Sequence, residues 1–380
     1  MTSVLFLIMM LVEQANGRFW LNDFKVFYSA AEALLSGNEV YGVVFGLETG
    51  YYKYSPFTLL LFIPFTFLPY SIAAGIHFWV IVSATIGTFV VIYSIANRYL
   101  TKGNGFHLII LLFGLIVILN HLIRELHLGN TNMILLFVLS LSAHLGLAGK
   151  ERSAGLLLGI AILTKPYFLL LGLPLLLIKN WKWVASTAFA VIAFIMISIT
   201  FLGFENGVLQ YKNWLDSMAG HSSYLTSSHT INSLLETYFG IALPEYSSYG
   251  MLILFSLGFC WLIHRVVLPI KKQFVLCYFV IIALIPNFLV TDTEHFLFTL
   301  PLILFSINEI LSSKRYLFFL PLIIAAAFYL GNSSDLLGKD LSNTVNRLGL
   351  LGISNLLLIG ITAWLLVSSN LGFAAGEETT

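Results

Sequence analysis

Long stretches of the chain carry almost no polar side chains: 3–13, 57–69, 71–96, 105–122, 132–148, 153–164, 167–178, 183–203, 248–267, 273–291, 295–312, 316–331 and 349–370. A helix needs roughly 20 residues to cross about 30 Å of hydrocarbon, and most of these stretches are long enough to do so with some tilt. The segment FTLLLFIPFTFLP at 57–69 holds Pro64 and ends at Pro69, which predicts a dip into the membrane and no crossing. Without it about 12 apolar elements remain, in a range of about 10–13, and they predict an all-α polytopic bundle. The first, SVLFLIMMLVE, has no basic flank and no small-residue cleavage site. It reads as a first transmembrane helix shorter than a full span.

Two stretches depart from this rhythm. In NDFKVFYSAAEALLSG, residues 22–37, Phe24, Phe27, Tyr28, Ala31, Leu34 and Leu35 recur at helical spacing, while Lys25, Ser29, Glu32 and Ser36 fill the other side. This predicts an amphipathic helix lying in an interface, with Asn22 or Asp23 as its N-cap and Gly37 as its stop. In SAGLLLGIAILTKPYFLLLGLPLLLIK, Pro166 biases Lys165 out of helical geometry, so two short apolar arms form a hairpin with TKP at its tip. Lys165 then lies in the outer half of the bilayer, where an ammonium is costly and usually functional, unless it snorkels to the headgroups.

Charge sets the orientation. Arg98 and Lys102, Lys150 and Arg152, Lys179 and Lys182, Arg265, Lys271 and Lys272, and Lys314 and Arg315 fall on one side if the segments alternate, and that side is cytoplasmic. The connections 14–56, 204–247 and 332–348 then face outward, the first carrying the amphipathic helix. Composition agrees: of 380 residues 58% are hydrophobic, 15% aromatic and 10% charged, with a mean hydropathy of +0.91. These values describe one integral membrane domain spanning 1–380. A net charge of +1 without any basic run excludes nucleic acid as a partner. Cys260 and Cys277 fall in apolar segments and read as packing residues.

On the outward face, polar side chains from distant parts of the sequence converge. They are Asp23; Lys53 and Tyr54 in YYKYSPF; Arg124, Glu125, His127, Asn130 and Asn132 in IRELHLGNTN; Lys165; Trp214, His221, His229 and Asn232; and Asp292, Glu294 and His295 in TDTEHF. Each has a plain structural use as well: Asn130 as a cap for the helix at 132, Trp214 as an interfacial belt residue, His295 as a satisfied helix-end residue. Their shared side of the membrane makes them a candidate site. No GxSxG elbow, HExxH helix, Walker loop or dinucleotide fingerprint occurs. The histidine spacing shows no metal geometry, so no cofactor or tightly bound metal is expected.

The order D-F-x-x-F-Y-x-A-A-x-A-L-L-x-G-x-x-x-Y, Y-x-Y-S-P-F with P-F-x-x-L-P, L-x-L-G-N-T-N and A-G-L-L-L-G-I-A-I-L-T-K-P resembles glycosyltransferase family 87 of the GT-C superfamily, over about 20–240. The resemblance implies a GT-C-like bundle with interfacial helices on the outer face. It also implies inverting transfer of a hexose, mannose as first expectation, from a polyprenyl-phosphate-sugar donor to a lipid or glycan acceptor, in the bacterial plasma membrane with the site outward. By position in the first outer loop, Asp23 is the implied catalytic base. Lys165, with Arg124 and His295, suits a donor phosphate, and Tyr54, Asn130, Asn132, Trp214, Asn232 and Glu294 are the expected substrate contacts. The partners are that donor, the acceptor and membrane lipids. Two other readings stay open: a transporter or flippase of lipid-linked sugars, for which paired interrupted helices are the sign, and an outward-facing glycan polymerase or ligase.

Overall fold

The computed structural model describes residues 2–17, 19, 21–46, 50–100, 108–219, 228–244, 246–313, 316–330 and 333–376. His221, Lys102, Lys314 and Arg315 lie outside these residues. Among the described residues the chain is helical between its loops, apart from one antiparallel bridge between Val44 and Tyr51. In chain order the helices are α1 (Thr2–Ala15), α2 (Asn22–Leu35), α3 (Pro56–Leu60), α4 (Ile63–Thr66), α5 (Tyr70–Ile95), α6 (Leu108–Leu128), α7 (Asn132–Leu147), α8 (Glu151–Thr164), α9 (Gly172–Leu177) and α10 (Trp181–Leu202). They continue with α11 (Phe204–Ala219), α12 (Ile231–Phe239), α13 (Ser247–Arg265), α14 (Ile270–Phe288), α15 (Leu300–Ser313), α16 (Phe319–Leu330), α17 (Ser334–Leu337), α18 (Lys339–Arg347) and α19 (Leu350–Gly376).

Among the described residues six helices are long and apolar enough to cross a membrane, and seven if the bent pair formed by α18 and α19 is one span. The chain is an integral membrane protein of helices, as the sequence predicts, but this number is below the dozen or so expected crossings. Short helices account for part of the gap: among the described residues, apolar stretches counted in the dozen fold as helices of 10–17 residues over Phe6–Ala15, Asn132–Leu147, Pro166–Leu177 and Phe319–Leu330. The stretch at 57–69, expected to dip without crossing and left out of that dozen, splits into α3 and α4 at Leu61 and Phe62. Lys165 ends α8 in an extended conformation, and a 3₁₀ turn over Pro166–Leu171 separates it from the six residues of α9.

The chain divides into two compact units, each assembled from three stretches. The first comprises Met1–Thr88, Ile123–Phe168 and Ala185–Tyr224; the second comprises Phe89–Leu122, Leu169–Val184 and Leu225–Thr380. In the first, α2 lies on α3 and α4 and buries Phe24, Val26, Phe27, Tyr28, Ala30 and Ala31. The inward face is therefore broader at its start than the sequence pattern shows, and it stops short of Leu35, which is exposed. Phe24 meets Phe65 edge-on at 5.3 Å and Phe27 meets Phe62 at 4.9 Å; fully burying such a ring contributes roughly 1.5–3 kcal/mol. Helix α8 packs along α7 and, through the GLLLG run, against α10. A Cβ at Gly155 would fall 2.5 Å from Ser186 Oγ and one at Gly159 2.7 Å from Ala190 Cβ. Small residues one turn apart are what let two helix backbones come this close.

In the second unit α14 is buried along almost its whole length among α9, α13, α15 and α19. Pro286 inside it removes one backbone donor, and polar side chains supply local bonds around the break. Asn355 of α19 donates to the Ala283 carbonyl at 2.8 Å, and Asn287 donates to the Gly352 carbonyl at 2.9 Å. Cys260 and Cys277 are both buried and free.

Candidate active site

Within the first unit, two left-handed residues set how the end of α6 meets the start of α2. Gly129 closes α6 at φ +70°, its N–H bonded to the Glu125 carbonyl at 2.9 Å; a residue with a Cβ enters that region at a cost of about 1–2 kcal/mol. A Cβ there would also stand 2.9 Å from the Cβ atoms of both Leu21 and Phe24. Glycine is thus what allows the close approach. His77 Nε2 bonds the Gly129 carbonyl at 2.9 Å, and the His77 ring stacks on Phe24 at 4.3 Å. Against this wall the buried Leu21 adopts φ 43° and ψ 67°, a conformation that persists only where the surroundings over-determine it.

One consequence corrects the sequence reading. Helix α2 begins at Asn22, with Leu21 as its N-cap and no side-chain cap bond, so neither Asn22 nor Asp23 is the cap. Asp23 sits instead in the first turn, where the backbone dipoles favour an anion, and its carboxylate bonds across to the corner between α6 and α7. Gly129→Ala tests this wall. The left-handed φ and the two short Cβ contacts together predict a loss of about 2–4 kcal/mol, read as a lowered thermal midpoint; a variant as stable as wild type would show that the approach is not needed.

The α6–α7 corner supplies the partners. Asn130 Nδ2 donates to Asp23 Oδ2 at 2.7 Å, while its Oδ1 accepts the Thr131 N–H at 2.7 Å, which fixes the amide's orientation. Thr131 Oγ1 lies 2.9 Å from the Tyr54 hydroxyl. Glu125 is fully buried and holds the start of α7: Oε1 accepts the Met133 N–H and Oε2 accepts Asn132 Nδ2, both at 2.9 Å. Asn132 Oδ1 accepts from Lys165 Nζ at 2.6 Å. Pro166 holds Lys165 at φ −138° and ψ 101°, as expected for a residue before proline. The buried ammonium stands 6.0 Å from the centroid of the Tyr54 ring. Beside it, Thr164 Oγ1 is 3.2 Å from Thr58 Oγ1, which is 3.2 Å from Ser55 Oγ.

The arrangement joins a half-buried carboxylate to an enclosed ammonium through amides and hydroxyls. Of the two carboxylates, Asp23 is the one partly open to solvent and Glu125 is enclosed. A carboxylate so placed can take a proton from an entering hydroxyl. An ammonium out of bulk water attracts an anion far more strongly than one at the surface.

The structure therefore brings together Asp23, Tyr54, Asn130, Asn132 and Lys165. Arg124, in contrast, is exposed. Trp214 is buried and its indole N–H donates to the Lys53 carbonyl at 3.0 Å, while the Tyr41 hydroxyl donates to the Tyr54 carbonyl at 2.9 Å. Both clamp the YYKYSPF loop and so place Tyr54. His295, Glu294 and Asn232 belong to the second unit. There the His295 ring lies 3.1 Å from the Asp292 carbonyl, Glu294 is fully buried, and Asn232 ties α12 to α13 through Ser247 Oγ at 3.3 Å. His229 in the same unit packs edge-on against Phe296; burial pushes its imidazole down to about 4, so the ring is neutral at neutral pH. Sequence reasoning assigned no role to Glu125, Thr131 or His77. Glu125 already stood among the outward polar residues, and a signal existed for His77, which interrupts the apolar run 71–96.

The sequence matches the profile of glycosyltransferase family 87 over residues 52–309. It is 29% identical over 253 residues to an alpha-(1->3)-arabinofuranosyltransferase of Mycobacterium tuberculosis (strain ATCC 25618 / H37Rv), covering 64% of this chain and 55% of that protein. A protein of the same description from Corynebacterium glutamicum is 29% identical over 165 residues, 42% of this chain and 38% of the relative. The chain thus spans about half, or less, of the length of the curated relatives it matches. Among solved structures it is similar to ArnT from Cupriavidus metallidurans bound to undecaprenyl phosphate, at 15% identity and a TM-score of 0.39, covering 95% of this chain and 77% of that one. The two sequence relatives are named for arabinofuranose, so the expectation of mannosyl transfer gains no support from them.

Proposed function

Because the chain belongs to glycosyltransferase family 87, we propose that it transfers a sugar, with inversion, from a polyprenyl-phosphate-sugar donor to a hydroxyl of a lipid or glycan acceptor on the outer face of the membrane. The observation that carries this reading is the half-open Asp23 carboxylate, gripped by Asn130 and linked into the network that encloses Lys165. In the reaction the acceptor hydroxyl attacks the anomeric carbon and passes its proton to Asp23. The bond from that carbon to the phosphate oxygen breaks, and its electron pair leaves on the polyprenyl phosphate, whose charge the Lys165 ammonium stabilises. One carboxylate suffices for such a displacement, unlike the pair used by glycosidases. The sugar is a pentofuranose before a hexose, a preference that rests on the names of the relatives and replaces the first expectation of mannose.

The test is incorporation of radiolabel into acceptor lipid or glycan by the purified protein, with synthetic polyprenyl-phosphate-arabinofuranose and polyprenyl-phosphate-mannose supplied in parallel. Transfer from the arabinofuranose donor is expected. Transfer from the mannose donor alone would keep the class and overturn the sugar. If a folded protein uses neither, the reading as a transferase of these donors falls.

A further inference from the structure

The reaction above gives Glu125 no part, yet both its oxygens are engaged inside the candidate site. One takes the Met133 N–H, which is enough to hold the start of α7. The other takes the side-chain amide of Asn132, which no helix cap requires. An amide has one donor end and one acceptor end. When a carboxylate claims the NH₂ group of Asn132, its oxygen must face the other way, and there Lys165 Nζ lies at 2.6 Å. Turning the amide over would set oxygen against carboxylate and NH₂ against ammonium, two repulsive contacts in a site where Glu125, Asn132 and Lys165 are all buried.

The geometry points to Glu125 as the positioning residue of Lys165: by fixing the polarity of Asn132 it fixes where the ammonium stands, and so where the phosphate of the lipid donor binds. This rests on the reading of Lys165 as the donor-phosphate cation. Glu125 acts through the amide and is not itself a catalytic residue. The inference separates the two halves of the LGNTN corner, Asn130 holding the base and Asn132 holding the cation.

The experiment compares wild type, Glu125→Gln, Asn132→Asp, the double variant Glu125→Gln/Asn132→Asp and Lys165→Ala, each purified as the full chain. The probe is polyprenyl monophosphate, the leaving group common to any donor of the proposed class, so the readout does not depend on the sugar. Glu125→Gln retains shape and can still accept the Met133 N–H, but it turns an NH₂ toward Asn132; its apparent Kd is expected to weaken at least tenfold. Asn132→Asp sets two carboxylates side by side and is expected to weaken binding as well. The double variant moves the charge from one side chain to its neighbour while conserving every hydrogen bond, since the introduced amide donates to the introduced carboxylate, which in turn takes the ammonium. It is expected to bind within about fivefold of wild type, better than either single variant, an outcome that a purely structural role for Glu125 does not produce. Unchanged binding by Glu125→Gln, or a double variant no better than the singles, overturns the inference; so does a double variant that fails to fold, because its bonds are the native ones. Unchanged binding by Lys165→Ala would instead remove the reading on which the inference rests.

Discussion

Asp23→Asn is expected to lower the rate of glycosyl transfer by about two to four orders of magnitude, the range a general base contributes, while leaving the protein folded. The substitution preserves shape, and the oxygen of the new amide can still accept from Asn130 Nδ2, the bond that holds the native carboxylate at 2.7 Å. What is lost is the charge and the ability to take a proton. Its favourable interaction with the first turn of α2 is worth only about 0.3–1 kcal/mol at a partly exposed position. The thermal midpoint should therefore move little as turnover disappears. Initial rates with the lipid-linked donor, paired with a melting curve, separate these effects. Turnover within about threefold of wild type would place the base elsewhere, since removing the general base itself costs at least about a hundredfold.

Lys165→Ala is expected to weaken the donor by about 10- to 100-fold, the loss of one charge-assisted contact worth roughly 1.5–3 kcal/mol. It should also destabilise the protein. With the ammonium gone, Asn132 Oδ1 loses its donor at 2.6 Å and Glu125 loses the cation that reaches it through that amide; removing one side of a buried charged pair commonly costs about 3–5 kcal/mol. Both expected losses come from one side chain, and a second variant takes them apart. Lys165→Met combined with Glu125→Gln removes both charges and should regain much of the stability without regaining donor affinity. Recovery of donor binding in that double variant would mean that the lysine serves only to balance Glu125.

How far the sequence carried depends on whether a feature was local. Pro166 dictates the extended geometry of Lys165 within one residue, and the period of 22–37 dictates α2, so both were readable. The start of α2 was not, because Leu21 is held left-handed by Gly129, more than a hundred residues away in sequence, and a propensity for Asn or Asp at a cap has no knowledge of that neighbour. Trp214 suggests locally only an interfacial aromatic or a substrate contact, and nothing near it in sequence announces the clamp on Lys53, a bond across 161 residues. The spans were overestimated where an apolar run folds into a helix shorter than a full span, as over Asn132–Leu147 and Phe319–Leu330. Nothing local distinguishes Arg124, which is exposed, from the adjacent Glu125, which is buried; only the direction in which each points from α6 does so.

The contacts that build the site join residues far apart in the chain: 107 positions separate Asp23 from Asn130 and 106 separate Thr58 from Thr164. On the ribosome this becomes an interval. At about 5–20 residues per second, the roughly 140 residues between Asp23 and Lys165 take on the order of 7–30 s to emerge. Throughout that time the nascent protein carries the carboxylate without its cation. A membrane-insertion partner that shields α2 during translation would therefore act on a state the finished protein never visits.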